Sequence, residues 1–399
     1  FIGLGDTEAA QNPHVFSPNE SVTVELESAM PISRLRMFCG INVGNYYIEC
    51  SEDGENWDYA GEFAQNYVAV LKWKEVELSD TVTTKPARYL RITADNDMYL
   101  NEIAVYSPYG DQLVITSADA PELCDEQEHV PDAASFMNSS YFDEIYHART
   151  AYEFLHTMSV YEWTHPPLGK AIMSLGIRIF GMNPFGWRFM GNLAGILMLP
   201  AMYCLGKLMF KKTPWATALM LLMTLDGMHF VQTRLATVDS YAVLFIILMY
   251  TFMYKYCTMS WNKTSLVRTL VPLGLCGISF GLGIACKWIG AYAGVGLAAI
   301  FFFTMYKRTR EYIAAARDKN DPSLSGRQRS LLSGVCSVYR KNLLLTLLFC
   351  IGFFIIIPAA IYCASYGAYF DAPGNKGSAL NTIWQNQKDM LSYHEGITT

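Results

Sequence analysis

The side chains with chemical potential sit in a few short stretches of the 399-residue chain. Asp143 and Glu144 are adjacent in "FDEIYHARTAYEF", with His147 and Arg149 following on the same stretch. His165 and Lys170 belong to "THPPLGK", Arg234 and Asp239 to "QTRLATVDS", Lys287 to "CKWIG" and His394 to "SYHEG". A carboxylate beside a substrate hydroxyl can take its proton as a new bond forms. Cations beside a phosphate can hold the charge that develops as it leaves. The two carboxylates of a glycoside hydrolase flank the scissile bond, so neighbours in sequence do not fit that role. Asp143 and His147, at i and i+4, could share a metal ion, yet two ligands do not complete a coordination sphere. The expectation is therefore no required metal or other cofactor. A plainer role for Asp143 is to cap the helix that follows it.

The elements that must position these groups fall into two classes. Residues 1–140 carry 24 acidic against 7 basic residues, a balance of −17, and the remainder carries 12 against 23, a balance of +11. An acidic front and a basic, apolar rear predict a soluble domain joined to a membrane domain, and give no footprint for nucleic acid. Residues 20–108 alternate in period two ("SVTVELES", "SRLRMFCG", "NYYIECS", "KWKEVELS", "ARYLRITAD", "YLNEIAVYS") with turn-rich breaks, the pattern of an all-β sandwich. The ten cysteines show no CxxC spacing. Cys39 and Cys50 could bridge neighbouring strands or remain two buried thiols.

Apolar runs of membrane length occupy about 187–210, 214–233, 240–257, 269–286, 289–306 and 342–364. A single helix over 268–306 would be about 55 Å long, against a hydrocarbon core of about 30 Å, so "CKWIG" must be a turn between two spans. The loop 307–341 holds nine Lys and Arg and is expected inside. Counting back places Asp143, Arg234, Asp239, Lys287 and the segment after 365 outside, together with the β domain. "LGKAIMSLGIRIFG" (168–181) is too short to span and reads as an interfacial or re-entrant helix. Ionisable groups gathered at one membrane face are functional candidates by default. Asp226, inside the 214–233 run, reads as a structural hydrogen-bonding residue.

Two resemblances sharpen this. "CSEDGENWDYAGEF" with "ARYLRITADNDMYLNEIAVYSPYG" resembles the discoidin or coagulation-factor C-type domain, a galactose-binding-like jelly roll, over about residues 12–112. That resemblance implies a loop-borne glycan or lipid-headgroup site, or a purely structural domain. "FDEIYHARTAYEF", "THPPLGK", "FGMNPFGWR", "LDGMHFVQTRLATVDSYAVLF" and "CKWIG", in this order, resemble the protein O-mannosyltransferase family, particularly its bacterial members. The family implies a C-type membrane glycosyltransferase acting at the outer face of the bacterial cytoplasmic membrane, with a polyprenyl-phosphate-linked sugar as donor and an acceptor protein. Under that resemblance Asp143 is the general base and Glu144 positions it or the acceptor. Arg234, His165 and Lys287 would bind the donor phosphate, while Asp239, His147, Arg149, Lys170 and His394 are further site candidates. Residues 1–11 would end a first membrane helix, 113–136 would be a linker, and 137–399 the membrane domain with outer-loop helices over 141–182. The same chemistry on a lipid or cell-wall glycan, or a transporter or sensor with a glycan-binding ectodomain, are the competing expectations.

Overall fold

The computed structural model describes residues 3–8, 11–373 and 377–397. The expected helix end at 1–11 falls partly on residues 1, 2, 9 and 10, which lie outside the described residues, as do the last two residues of the membrane domain. The chain divides into two compact units, one of residues 1–152 and 174–189, the other of 153–173 and 190–399.

The first unit is built on ten strands: β1 His14–Phe16, β2 Ser21–Pro31, β3 Arg34–Cys39, β4 Gly44–Ser51, β5 Asp58–Gln65, β6 Lys72–Glu77, β7 Pro86–Ala94, β8 Met98–Tyr106, β9 Gln112–Leu113 and β10 Ile115–Ala118. They form two antiparallel five-stranded sheets, one in the order β1-β8-β3-β6 with β9 on β8, the other β10-β2-β7-β4-β5. Alternation does the work: Val22, Val24 and Leu26 of β2 and Leu90 and Ile92 of β7 point inward, next to Leu35, Met37, Ile103 and Val105 of the other sheet. All six strand-like stretches in the sequence became strands. The pairing runs on past residue 112, because β10 adds to β2 and Ala120 and Leu123 enter the core. Cys39 and Cys50 lie in different sheets as free buried thiols, and burial pushes each up to about 12. The bridge is absent.

The helices follow: α1 Asp80–Thr83 within the sandwich, then α2 Glu144–Leu155, α3 Leu168–Phe180, α4 Pro184–Phe210, α5 Thr213–Thr224, α6 Gly227–Gln232, α7 Asp239–Cys257, α8 Leu266–Cys286, α9 Ile289–Asp318, α10 Gly326–Ile351, α11 Ile357–Ser365, α12 Gly367–Phe370 and α13 Ala379–Ile397. Among the described residues five helical stretches are long and apolar enough to cross a membrane: 184–210, 239–257, 266–286, 289–318 and 326–365. The expected span over 214–233 is instead two short helices, α5 and α6. The Asp226 carboxylate accepts the His229 N–H at 2.7 Å and starts α6 anew, so a residue type that favours caps interrupts an apolar run. Asp226 thus has the structural role its position in the run predicted.

Within the second unit, α8 packs closely on the stretch that follows α10. A Cβ added at Gly277 would lie 2.2 Å from the Phe353 carbonyl oxygen, and one at Gly281 would lie 2.8 Å from Pro358 Cα. Small residues four apart let the two backbones touch, as in membrane helix pairs generally. Phe353 belongs to a single π-helical turn over Gly352–Ile356, just before Pro358.

Candidate functional site

Asp143 sits half-buried immediately before α2, and its carbonyl accepts the Tyr146 and His147 N–H groups at 3.0 and 3.1 Å. Glu144, the first residue of α2, is fully buried and forms a two-pronged pair with Arg188 of α4: Nε donates to Oε1 at 2.7 Å and Nη2 to Oε2 at 2.6 Å. Glu144 Oε2 also accepts the Tyr141 N–H at 2.7 Å. The other Arg188 donors go to the carbonyls of Leu4, Phe136 and Ser139 at 2.7–3.0 Å. A guanidinium has five N–H groups, and all five are used. This fork fixes the loop that carries Asp143. The sequence placed Arg188 in a motif without assigning it a role; a lone arginine entering an apolar run was the available signal. Farther along α2, His147 is buried and Arg149 donates to the Asn42 Oδ1 in the β3–β4 connection at 3.0 Å.

In the second unit the segment 162–170 forms a compact polar knot. Lys170 is fully buried. Its ammonium donates to the Glu162 carboxylate, to the Glu162 carbonyl at 2.7 Å and to the His165 carbonyl at 3.0 Å. Glu162 Oε1 also meets His165 Nδ1 at 3.1 Å and accepts from the Thr164 hydroxyl. Burial pulls the Lys170 ammonium below its ordinary range, with the Glu162 and Glu153 carboxylates opposing that. Gly169 brings this knot against α7, since a Cβ there would lie 2.8 Å from Val238 Cγ1.

The start of α7 supplies Asp239, which accepts from Lys287 Nζ at 2.7 Å. Lys287 follows the last residue of α8, so the "CKWIG" turn falls where the span-length argument required. The next residue, Trp288, has its ring 5.9 Å from that of His394 on α13. The His394 ring lies 6.0 Å from that of His165, and its Nε2 is 3.3 Å from the Thr164 carbonyl oxygen. Asp239, Lys287, His394, His165 and Lys170, spread over more than 220 residues, therefore form one connected chain. Arg234, five residues before Asp239, is half-buried with its guanidinium 4.8 Å from the Phe230 ring centre. Glu162 was missed by the sequence reading, although an acid three residues before His165 was a usable signal.

Three carboxylates elsewhere approach one another. Oxygens of Glu102, Asp125 and Glu126 in the sandwich unit lie within 4.8 Å of each other. Burial pushes Glu102 up to about 8, while donors from Gln127 Nε2 and the Glu126 N–H work against that. Burial thus favours the protonated form of Glu102, which lessens the repulsion among the three carboxylates.

The sequence model of the family described as dolichyl-phosphate-mannose-protein mannosyltransferase matches residues 164–316. A polyprenol-phosphate-mannose–protein mannosyltransferase of Mycolicibacterium smegmatis is 26% identical over 250 residues, 57% of this chain and 44% of that protein. The protein of the same name from Mycobacterium tuberculosis is 23% identical over 295 residues, 64% of this chain and 52% of its own. The chain thus spans about half the length of the curated relatives it matches. Among solved structures, ArnT from Cupriavidus metallidurans in the apo state aligns over 63% of this chain and 54% of that one, at 14% identity and a TM-score of 0.34. The stretch from His165 through Arg234, Asp239 and Lys287 is the one that the mannosyltransferase family model covers.

Proposed function

We propose that this chain is part of an inverting glycosyltransferase. It moves a sugar, mannose by similarity to the mycobacterial relatives, from a polyprenyl phosphate to a hydroxyl, that of a protein Ser or Thr. The observation that carries the reading is the connected set of groups from His165 through His394 and Lys287 to Asp239, of which His165, Lys287 and Asp239 lie in the region the mannosyltransferase family model matches.

Asp143 accepts the proton of the acceptor hydroxyl while its oxygen bonds to the anomeric carbon. The bond from that carbon to the phosphate oxygen breaks, and polyprenyl phosphate leaves with its electron pair. One displacement inverts the anomeric centre and needs no further reagent. Glu144, locked to Arg188, holds the Asp143 loop. Arg234, His165 and Lys287 hold the phosphate, with Asp239 keeping Lys287 in place until the donor arrives. The fold is of the C type, with the reaction and the β domain on the outer side of a bacterial cytoplasmic membrane. The β domain is discoidin-like, with a glycan as its candidate ligand.

The test is sugar transfer in membranes containing the full-length protein, given polyprenyl-phosphate-mannose and a Ser/Thr-rich peptide. Transfer that Asp143→Asn removes supports the reading. Absence of transfer with donor still bound would redirect it to another sugar or to a lipid or cell-wall acceptor.

A further inference from the structure

Lys170 invites assignment as a phosphate ligand, since it is a cation five residues from the candidate His165 in "HPPLGK". Its geometry opposes that. An ammonium has three N–H donors. Those of Lys170 have three acceptors: the Glu162 carboxylate, the Glu162 carbonyl and the His165 carbonyl. The residue is fully buried, and Glu162 is nearly so, with 7% of its side chain exposed. A cation spent in this way has no donor left for an incoming phosphate.

We infer that Lys170 and Glu162 are positioning residues for His165. The two Lys170 bonds to carbonyls clamp both ends of the turn 162–165. Its bond to the carboxylate leaves Glu162 Oε1 aimed at His165 Nδ1, 3.1 Å away. A carboxylate there selects the tautomer with its proton on Nδ1 and fixes the ring plane, as carboxylate partners of functional imidazoles do. His165 has 22% of its side chain exposed, and is thus the member of the trio that solvent-borne chemistry can reach. Pro166 and Pro167 stiffen the chain immediately after it, so ring and backbone are both restrained. The series is Lys170 to Glu162 to His165, with only the last directed at a substrate. This inference rests on the donor-binding role proposed for His165, and adds the two residues that orient it.

Two measurements on the full-length protein test it. The first is acylation of lysines by acetic anhydride, read residue by residue by mass spectrometry. Lys170 should be protected in the wild type and labelled at least about tenfold faster in Glu162→Gln, because breaking one partner of a buried pair opens the site. Wild-type labelling as fast as at surface lysines overturns the clamp. The second is a double-mutant cycle on sugar transfer with Glu162→Gln, His165→Asn and the double variant. Each single change should lower kcat by about 100-fold, the loss typical of a misplaced group. The double should be no worse than His165→Asn alone. Losses that multiply would make Glu162 a purely structural residue and overturn the inference. Should Glu162→Gln fail to fold, Glu162→Asp keeps the charge beside Lys170 and withdraws it from His165, with the same expected non-additivity. If the full-length protein transfers no sugar at all, the functional proposal falls, and the labelling alone decides the clamp.

Discussion

Arg188 and Glu144 form a buried, two-pronged ion pair in which every guanidinium N–H has an acceptor. Breaking such a pair from one side leaves an uncompensated charge and costs about 3–5 kcal/mol. Arg188→Ala and Glu144→Ala should therefore both collapse the yield of monodisperse protein. Arg188→Lys should rescue little, since an ammonium cannot serve five acceptors in a fork. Size-exclusion profiles and thermal melting in detergent report this directly. A melting point unchanged in Arg188→Ala would show the pair to be dispensable.

The Lys287–Asp239 pair should behave differently. Its side chains are 29% and 44% exposed, a setting in which an ion pair contributes about 0–1 kcal/mol. Lys287→Met and Asp239→Asn should leave melting nearly unchanged. Both should still depress sugar transfer, Lys287→Met chiefly by raising KM for the donor. Equal losses of stability and transfer would assign the pair to architecture instead.

Glu102 predicts a pH dependence with a definite sign. Its carboxyl is raised to about 8 in the fold, from an ordinary value of 4.5, so the native state holds a proton that the unfolded chain has released between those values. Stability then falls as pH rises through that window. The contribution is fully present below about 4.5 and lost above about 8. At about 1.4 kcal/mol per pKa unit, the swing is a few kcal/mol. Hydrogen exchange of the β8 amides, corrected for intrinsic rates, should show lower protection at pH 8.5 than at pH 6 in the wild type. Glu102→Gln should flatten that difference.

Two glycines separate contact from propensity. Gly277→Ala would drive a methyl group against the Phe353 carbonyl and should destabilise by about 1–3 kcal/mol, as overpacking does. Gly334, inside α10, has open space where its Cβ would stand, so Gly334→Ala should stabilise by up to about 1 kcal/mol. Thermal shifts of opposite sign in the two variants are the expected result.

The sandwich was legible because period-two alternation is a local signal: the six stretches read from the sequence are six of its ten strands. The four others are a three-residue edge strand, the Gly-interrupted "DYAGEFAQ", and two short strands after residue 106, where alternation has too few residues to register. The apolar runs gave the long helices but overran at Asp226, because hydropathy averages over a cap. The site followed the same division. Motifs singled out His165, Arg234 and Lys287 as candidates, while Arg188 was overlooked because its partners lie far away in sequence, and Glu162, only three residues from His165 and eight from Lys170, because a lone acid ahead of a motif carries no pattern of its own. Arg188 is 44 residues from Glu144 and 184 from Leu4.

The Leu4 and Phe136 carbonyls both end on the single guanidinium of Arg188, and the Asp6 N–H reaches the Met137 carbonyl oxygen at 2.8 Å. The whole sandwich is thus a detour of roughly 130 residues that leaves and returns through one doorway. Entropy for closing such a detour grows only logarithmically with its length. The doorway can accept a longer excursion, a shorter one or a different domain without re-engineering the loop that carries Asp143.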